Sequence, residues 1–255
     1  MKKYDGYLID LDGTMYRGEQ PIPYAKQFIE TLQKKQKRFL FVTNNSTRTE
    51  AQFVKKLKNF GIYVDESQVL TSAVATAQYI QSLKPEKGVL VIGESGIQEA
   101  IKNIDVKMND VDPDYVVIGL DRAMNYEKLT KAAVAIQHGA KLIATNKDYR
   151  IPINDVFHPG NGAFTTALEL AANTKAYTIG KPQKEMMTQA LHILNVPKEK
   201  VIMVGDNYDT DILFGINDGV DTLHVQTGVT TLEDLKQVEQ QPTYTVKQLN
   251  EWVVK

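Results

Sequence analysis

The chain has 255 residues, a length that suits one large domain or two smaller ones. Its 42% apolar and 24% charged residues are typical of globular proteins, and a net charge of −1 gives no electrostatic attraction to nucleic acid or anionic membranes. The absence of cysteine excludes disulfides, thiolate catalysis and cysteine-ligated metals. With no signal-peptide pattern and no run approaching ~20 apolar residues, we expect a soluble, cytoplasmic protein without nucleic-acid or membrane partners.

Short apolar runs rich in β-branched residues recur along the chain, each bounded by polar or turn residues. These runs predict strands at Tyr7–Ile9, Arg38–Val42, Gly88–Ile92, Tyr115–Ile118, Lys141–Ala144, Ala176–Ile179, Val201–Val204 and Thr222–Val225. Helical periodicity between them predicts helices at Ala25–Lys35, Thr49–Phe60, Ser72–Leu83 and Lys184–Leu194. Because such alternation is typical of parallel βαβ units, the predicted fold class is α/β, with a doubly wound parallel-sheet (Rossmann-like) core.

The spacing of polar strand ends indicates a second domain. Thr43 and Lys181 both follow predicted strands, yet they lie much further apart than the ~10–12 residues that one βαβ crossover needs. The interval contains strand–helix alternations of its own. We therefore predict an inserted, smaller α/β domain at residues 84–176, between core segments at 1–83 and 177–255.

Carboxylates follow two of the predicted strands. Asp10 and Asp12 come directly after the first strand, and residues two apart in an extended chain point the same way. Asp206 follows the seventh strand, with Asp209 and Asp211 downstream. Parallel sheets bind ligands at the carboxyl ends of their strands, and carboxylate oxygens from adjacent ends suit Mg²⁺. The structural alternatives are an Asp-Gly turn for the first pair and helix capping for Asp209 and Asp211.

Donor groups follow two further strands. Thr43 and Asn44 supply a hydroxyl and amide groups, and Lys181 lies between a glycine and a proline. Such groups bind phosphoryl oxygens, and a lysine at this position can also pair with Asp10. Helix capping and a solvated surface charge are the alternatives. Together the four strand ends predict a site for Mg²⁺ and phosphate.

In chain order, these groups resemble the four motifs of the haloacid dehalogenase-like hydrolase superfamily: Asp10-Leu11-Asp12-Gly13-Thr14, Thr43-Asn44, Lys181, and Gly205-Asp206-Asn207 with Asp211. The long insertion resembles the C2-type cap of that superfamily, and the short gap between Thr14 and Pro21 leaves no room for a C1 cap. Three segments of the insertion resemble the NagD-like branch, which includes p-nitrophenyl phosphatases and acid sugar phosphatases: Gly119-Leu120-Asp121, Ala144-Thr145-Asn146-Lys147-Asp148 and Pro159-Gly160-Asn161-Gly162.

The resemblance implies a Mg²⁺-dependent phosphatase that forms an aspartyl-phosphate. It acts on small phosphomonoesters, with sugar or acid-sugar phosphates favoured and p-nitrophenyl phosphate as an in vitro substrate. Asp10 is the implied nucleophile and Asp12 the general acid and base. The implied metal ligands are Asp10, the Asp12 backbone carbonyl and Asp206, with Asn207 and Asp211 behind them. The implied phosphate-binding residues are Thr43, Asn44 and Lys181.

The cap of such enzymes reads the leaving group, so its loops set specificity. The candidate residues are Asn146, Lys147, Asp148, Tyr149 and Arg150, of which Lys147 and Arg150 suit a substrate carboxylate. The expected partner is a small phosphorylated metabolite, and a homo-oligomer stays open. Two alternatives also stay open: a phosphotransferase or mutase that uses the same intermediate, and a non-catalytic phosphate-binding regulatory module.

Overall fold

The computed structural model describes residues 2–153 and 156–255. In chain order its strands are β1 (Gly6–Ile9), β2 (Tyr16–Arg17), β3 (Gln20–Pro21), β4 (Arg38–Thr43), β5 (Val69–Thr71), β6 (Val89–Ile92), β7 (Tyr115–Ile118), β8 (Lys141–Ala144), β9 (Arg150–Ile153), β10 (Val156–Pro159), β11 (Tyr177–Thr178), β12 (Val201–Gly205), β13 (Asp221–Val225) and β14 (Tyr244–Val246). Its helices are α1 (Ala25–Lys34), α2 (Glu50–Asn59), α3 (Ser72–Leu83), α4 (Ser95–Lys102), α5 (Tyr126–Gln137), α6 (Asn161–Ala171), α7 (Lys184–Leu194), α8 (Leu213–Asp218) and α9 (Leu232–Leu235). Every predicted strand and helix is present within a few residues of its predicted bounds.

The larger sheet has six strands in the order β14-β13-β12-β1-β4-β5. The registers of β1 with β12 and β4, and of β13 with β12 and β14, are all parallel. Every residue of β1 and β12 is buried. Strands that are apolar along their whole length need cover on both faces, which the connecting helices provide. The predicted α/β class with a doubly wound parallel core is confirmed.

The described chain divides into two compact units. The first comprises Met1–Thr43, Ala51–Leu70 and Lys181–Lys255, and the second comprises Asn44–Glu50 and Thr71–Gly180. The second unit thus takes in α3, which packs against α4, whereas the sequence places α3 before the insertion. The predicted domain bounds at 83/84 and 176/177 stay a prediction.

The first unit has its own apolar core beneath the six-stranded sheet. Helix α1 illustrates how the sequence builds it, because Ala25, Phe28, Ile29 and Leu32 recur at helical spacing and are all buried. They join a cluster that includes Phe41 on β4. Each large side chain of this kind contributes about 1.5–3 kcal/mol when it leaves water. This burial holds the strands whose ends carry the polar residues.

The second unit contains a separate four-stranded sheet in the order β11-β8-β7-β6, whose pairs are parallel. Its core includes Val116, Ile118 and Leu142 from the strands and Ile136 from α5. Strands β9 and β10 pair antiparallel, and their residues are mostly exposed. Two sheets with separate cores are consistent with a second, smaller α/β cap.

Within residues 2–153 and 156–255, no helix is both long enough and apolar enough to cross a lipid bilayer.

Asp221 begins β13 and anchors the N-terminal segment. Its Oδ2 accepts hydrogen bonds from the Tyr4 hydroxyl at 2.7 Å and the Lys2 ammonium at 2.8 Å. Burial by itself would raise the pKa of Asp221, but the bonds from Lys2 and Tyr4 outweigh it and lower the pKa below the usual 3.8. A carboxyl with a lowered folded-state pKa stabilises the fold above its unfolded-state pKa, and this contribution is lost as the pH falls through the folded-state pKa.

We expect Asp221→Asn to lower the free energy of unfolding by about 1 kcal/mol at about pH 7, and by less at about pH 3. Urea denaturation at both pH values measures the difference. Asp105→Asn, at an exposed position, is the matched control. An equal loss at both pH values would contradict the electrostatic account.

Candidate active site

The site lies at the carboxyl end of β1, in the first unit. The register pairs Ile9 with Val204 of β12 and with Phe41 of β4. The amide of Asp10 continues this ladder by donating to the carbonyl of Val204 at 2.9 Å. Parallel strands end at the same edge of a sheet, so Asp10, Asp206 and Thr43 are brought to one edge.

Lys181 is the only cation that the described part of the site buries, with its side chain 2% exposed. Its ammonium lies 2.6 Å from Asp10 Oδ1, 2.7 Å from Asp211 Oδ1 and 2.8 Å from the carbonyl of Val42. An ammonium has three N–H donors, so these acceptors can satisfy all of them. Burial would lower the pKa of Lys181, but the two carboxylates outweigh it and raise the pKa, so the group stays charged.

The two carboxylates bound to this ammonium belong to a cluster of three. Oxygens of Asp10, Asp206 and Asp211 lie within 4.8 Å of one another, and all three residues are buried. Asp211 belongs to a π-helical turn at Tyr208–Ile212, and its Oδ2 accepts the backbone N–H of Asn207 at 3.1 Å. The sequence placed Asp211 behind the ligands, and the structure puts its carboxylate in the cluster itself. Asn207 reaches Asp211 through its backbone.

The carboxylates carry more negative charge than Lys181 can neutralise. Burial first, and then the negative charge of Asp211, raise the pKa of Asp206 to about 7. The same two causes raise the pKa of Asp10 well above its usual value, although Lys181 opposes them. Asp10 Oδ2 is buried and has no hydrogen-bond partner among the described residues. A hard divalent cation fits this set of oxygen donors and would relieve the repulsion.

The two predicted catalytic acids differ in exposure, and a tight turn follows them. Gly13 has a φ of 94°, which only glycine adopts readily, and the chain turns so that the amide of Met15 donates to the carbonyl of Leu11 at 2.8 Å. The residue Asp12 is exposed, outside the buried cluster. The Thr14 hydroxyl donates to Asp206 Oδ1 at 3.3 Å, a contact that the sequence reasoning missed. A hydroxyl directly after an Asp-Gly turn was the available signal.

Asn44 lies in the second unit, where it bonds with two of the predicted specificity residues. The side-chain amide of Asn44 donates to Asp148 Oδ1 at 3.2 Å. The backbone carbonyl of Asn44 accepts a hydrogen bond from Asn146 Nδ2 at 2.8 Å. The Ser72 hydroxyl donates to the same carbonyl at 2.6 Å. The predicted phosphate donor Asn44 and the predicted specificity loop therefore form one hydrogen-bonded group.

The remaining specificity candidates are more exposed. The Lys147 ammonium pairs with Glu169 Oε1 at 2.9 Å, so meeting a substrate carboxylate would require it to share or leave that partner. The Arg150 guanidinium lies 4.9 Å from the centre of the Phe157 ring. Tyr149 is 56% exposed. Of this group, Arg150 and Tyr149 are the better placed to meet a ligand from solvent.

Comparison with known proteins agrees with this geometry. The family model described as haloacid dehalogenase-like hydrolase matches residues 7–107, and a related haloacid dehalogenase-like model matches residues 178–252. The two matches contain Asp10, Thr43, Lys181 and Asp206. The chain belongs to the haloacid dehalogenase-like hydrolase family.

Full-length relatives place the chain more closely within this family. It is 49% identical over 251 residues to the acid sugar phosphatase of Staphylococcus haemolyticus, covering 98% of this chain and 95% of that protein. The thermostable NPPase of Geobacillus stearothermophilus, in a double-mutant crystal structure, is 47% identical, with a TM-score of 0.93 and full coverage of both chains. The 4-nitrophenylphosphatase of Thermotoga maritima is 32% identical, with a TM-score of 0.94 and coverage of 99% and 98%. The predicted NagD-like branch and haloacid dehalogenase-like phosphatase class are confirmed.

We expect Lys181→Met to lower the free energy of unfolding by on the order of 3 kcal/mol, because it leaves Asp10 and Asp211 buried without their cation. Urea denaturation measures the loss, and Lys55→Met, at an exposed position of α2, is the control. Adding Mg²⁺ should restore part of the stability of the Lys181 variant. Unchanged stability would show that the ammonium does not balance the carboxylates.

Proposed function

We propose that this enzyme is a Mg²⁺-dependent phosphatase that hydrolyses small phosphomonoesters, sugar phosphates foremost, through an aspartyl-phosphate on Asp10. The observation that carries the proposal is the state of the Asp10 carboxylate. Lys181 binds its Oδ1, and its Oδ2 is buried without a hydrogen-bond partner among the described residues, in a cluster of three carboxylates. The names of the relatives, acid sugar phosphatase and p-nitrophenylphosphatase, support the substrate class.

In the first step, the Asp10 carboxylate attacks phosphorus as the bond from phosphorus to the leaving-group oxygen breaks. Lys181 supports this step by favouring the ionised form of Asp10 against burial and by fixing one oxygen, so that the carboxylate needs little reorganisation. Asp12 gives its proton to the departing alcohol. In the second step, Asp12 takes a proton from water, and the resulting hydroxide attacks phosphorus and releases phosphate from Asp10.

The proposed metal ligands are Asp10, Asp206 and the Asp12 backbone carbonyl, with Asp211 beside them. Bound there, Mg²⁺ supplies the positive charge that lets a phosphate dianion approach three carboxylates. Thr43, Asn44 and Lys181 are the proposed phosphate-binding residues. Because three acceptors already surround the Lys181 ammonium, its contribution to phosphate is mainly positive charge, unless one bond is exchanged.

The broader setting of the enzyme is also proposed. A small phosphorylated metabolite is the partner, the location is cytoplasmic, and neither nucleic acid nor membrane is bound. The specificity residues at 146–150, their preference for an acid sugar and a homo-oligomeric state stay predictions.

Phosphate release from a panel of phosphorylated metabolites tests the reaction and its metal requirement. We expect hydrolysis of sugar phosphates and p-nitrophenyl phosphate with Mg²⁺, and loss of activity with a chelator that excess Mg²⁺ reverses. Adding a competing alcohol separates hydrolysis from transfer, because a phosphotransferase would give mainly the phosphorylated alcohol. Activity that is indifferent to chelation would overturn the proposed metal dependence.

The two acids have distinct roles that substitution separates. We expect Asp10→Asn to abolish turnover with every substrate, since no aspartyl-phosphate can form. We expect Asp12→Asn to lower kcat for sugar phosphates by about 10²–10⁴-fold. With p-nitrophenyl phosphate, the rate of the first step should fall by less than it does with sugar phosphates, because this leaving group needs little protonation. Rapid-quench detection of phosphorylated enzyme measures that first step.

Asp209→Asn is the matched control, because Asp209 is exposed beside the site. It should keep the activity of the parent enzyme. Equal loss in the first step for both leaving groups in the Asp12 variant would contradict its role as the acid.

A further inference from the structure

The loop that follows β13 contacts Asp206 through its backbone. We define the β13 loop as residues 226–231. Within it, the amide of Val229 donates to Asp206 Oδ2 at 2.7 Å, and the amide of Thr230 donates to the Asp206 carbonyl at 3.2 Å. The loop therefore fixes both the carboxylate and the main chain of a proposed metal ligand. None of the site residues predicted from the sequence lies in this loop.

The same loop is bonded to the turn that follows the nucleophile. The Thr227 hydroxyl donates to the carbonyl of Gly13 at 2.7 Å. The Arg17 guanidinium, on β2, donates to the carbonyl of Thr227. Thr227 thus ties the Asp10–Thr14 turn to a loop that also holds Asp206. The Thr14 hydroxyl, which donates to Asp206 Oδ1, is a second contact between the two acidic strand ends, and all of these groups lie in the first unit.

Two glycines leave the space that the Asp206 carboxylate occupies. A Cβ atom placed on Gly228 would overlap Asp206 Oδ2, and one placed on Gly13 would overlap Oδ1. Gly13 also has a positive φ, whereas Gly228 does not. At Gly228 the requirement for glycine is therefore steric, because a side chain would overlap Asp206. Substitution of Gly228 therefore tests the position of the carboxylate without backbone strain.

We propose that Thr227 and Gly228 are positioning residues that set the affinity of the site for its divalent cation. This inference rests on the proposed function, in which Asp10 and Asp206 bind Mg²⁺. Mg²⁺ requires near-ideal octahedral geometry, so small displacements of a carboxylate weaken its binding. Groups that orient metal ligands typically change affinity 10–100-fold when removed. Thr227 bonds to Gly13, the residue after the proposed ligand Asp12, and Gly228 lies against the Asp206 carboxylate, whereas neither is itself a proposed ligand.

Metal binding without substrate gives the decisive measurement. Mn²⁺ serves as the probe because it takes oxygen ligands in the same octahedral geometry, and electron paramagnetic resonance reports the free ion. We expect Thr227→Val, which replaces the hydroxyl by a methyl group, to weaken Mn²⁺ binding about 10-fold. Thr227→Ser keeps the hydroxyl and should bind as the parent does. Gly228→Ala should weaken binding at least as much as Thr227→Val.

Steady-state kinetics add a second readout. In Thr227→Val the apparent KM for Mg²⁺ should rise by more than the KM for p-nitrophenyl phosphate. Thr245→Val, at an exposed position of β14, is the matched control for the substitution and should leave both constants unchanged. Thermal melts establish that each variant is folded.

The possible outcomes distinguish failure of the proposed positioning role from failure of the proposed metal site. Mn²⁺ affinity that is unchanged in Thr227→Val and Gly228→Ala, or equally weakened in Thr227→Ser and Thr227→Val, would overturn the positioning role. A parent enzyme that binds no Mn²⁺, or an Asp206→Asn variant that binds it as tightly as the parent, would instead overturn the proposed metal site.

Discussion

A buried ammonium group joins three strand ends of the first unit. Lys181 contacts Asp10 after β1, Asp211 in the turn after β12 and the carbonyl of Val42 on β4. Carboxylates and an ammonium that leave water lose several kcal/mol of solvation each, and only close mutual contact offsets this loss. The relative positions of these strand ends therefore depend on Lys181. The rigid, apolar sheet holds the charged side chains in fixed positions relative to one another.

The cluster has more carboxylates than ammonium groups. The excess negative charge suits it to binding a cation. Three carboxylates face one ammonium, and the raised pKa values of Asp10 and Asp206 express the cost of keeping them ionised. A structural role alone would be better served by a neutral balance of charges. The arrangement instead favours a divalent cation, which in turn favours a phosphate. The β13 loop fixes the position of Asp206 through the amide of Val229. Gly13 and Gly228 leave the space that the Asp206 carboxylate occupies.

The second unit contains a hydrogen-bonded group built mainly from side-chain amides. Asn44 is far in the chain from Asn146 and Asp148, yet the three residues form one hydrogen-bonded group. Asn161 at the start of α6 donates to the carbonyl of Asn146 at 2.9 Å and extends this group into the core of the unit. Buried amides of this kind specify geometry, because each has few alternative partners once water is excluded.

The sequence by itself determined the α/β class, the principal strands and the candidates Asp10, Lys181 and Asp206. This was possible because an apolar run bounded by polar residues indicates a buried strand from local sequence alone. In addition, the residues that follow parallel strands lie at the same edge of the sheet. It did not reveal β5 and β14, which are three residues long and exist through pairing with neighbours. Only the tertiary structure placed Asp211 in the cluster and the β13 loop against Asp206. Those contacts join residues distant in the chain through a π-helical turn and backbone amides, which leave no periodic or compositional pattern.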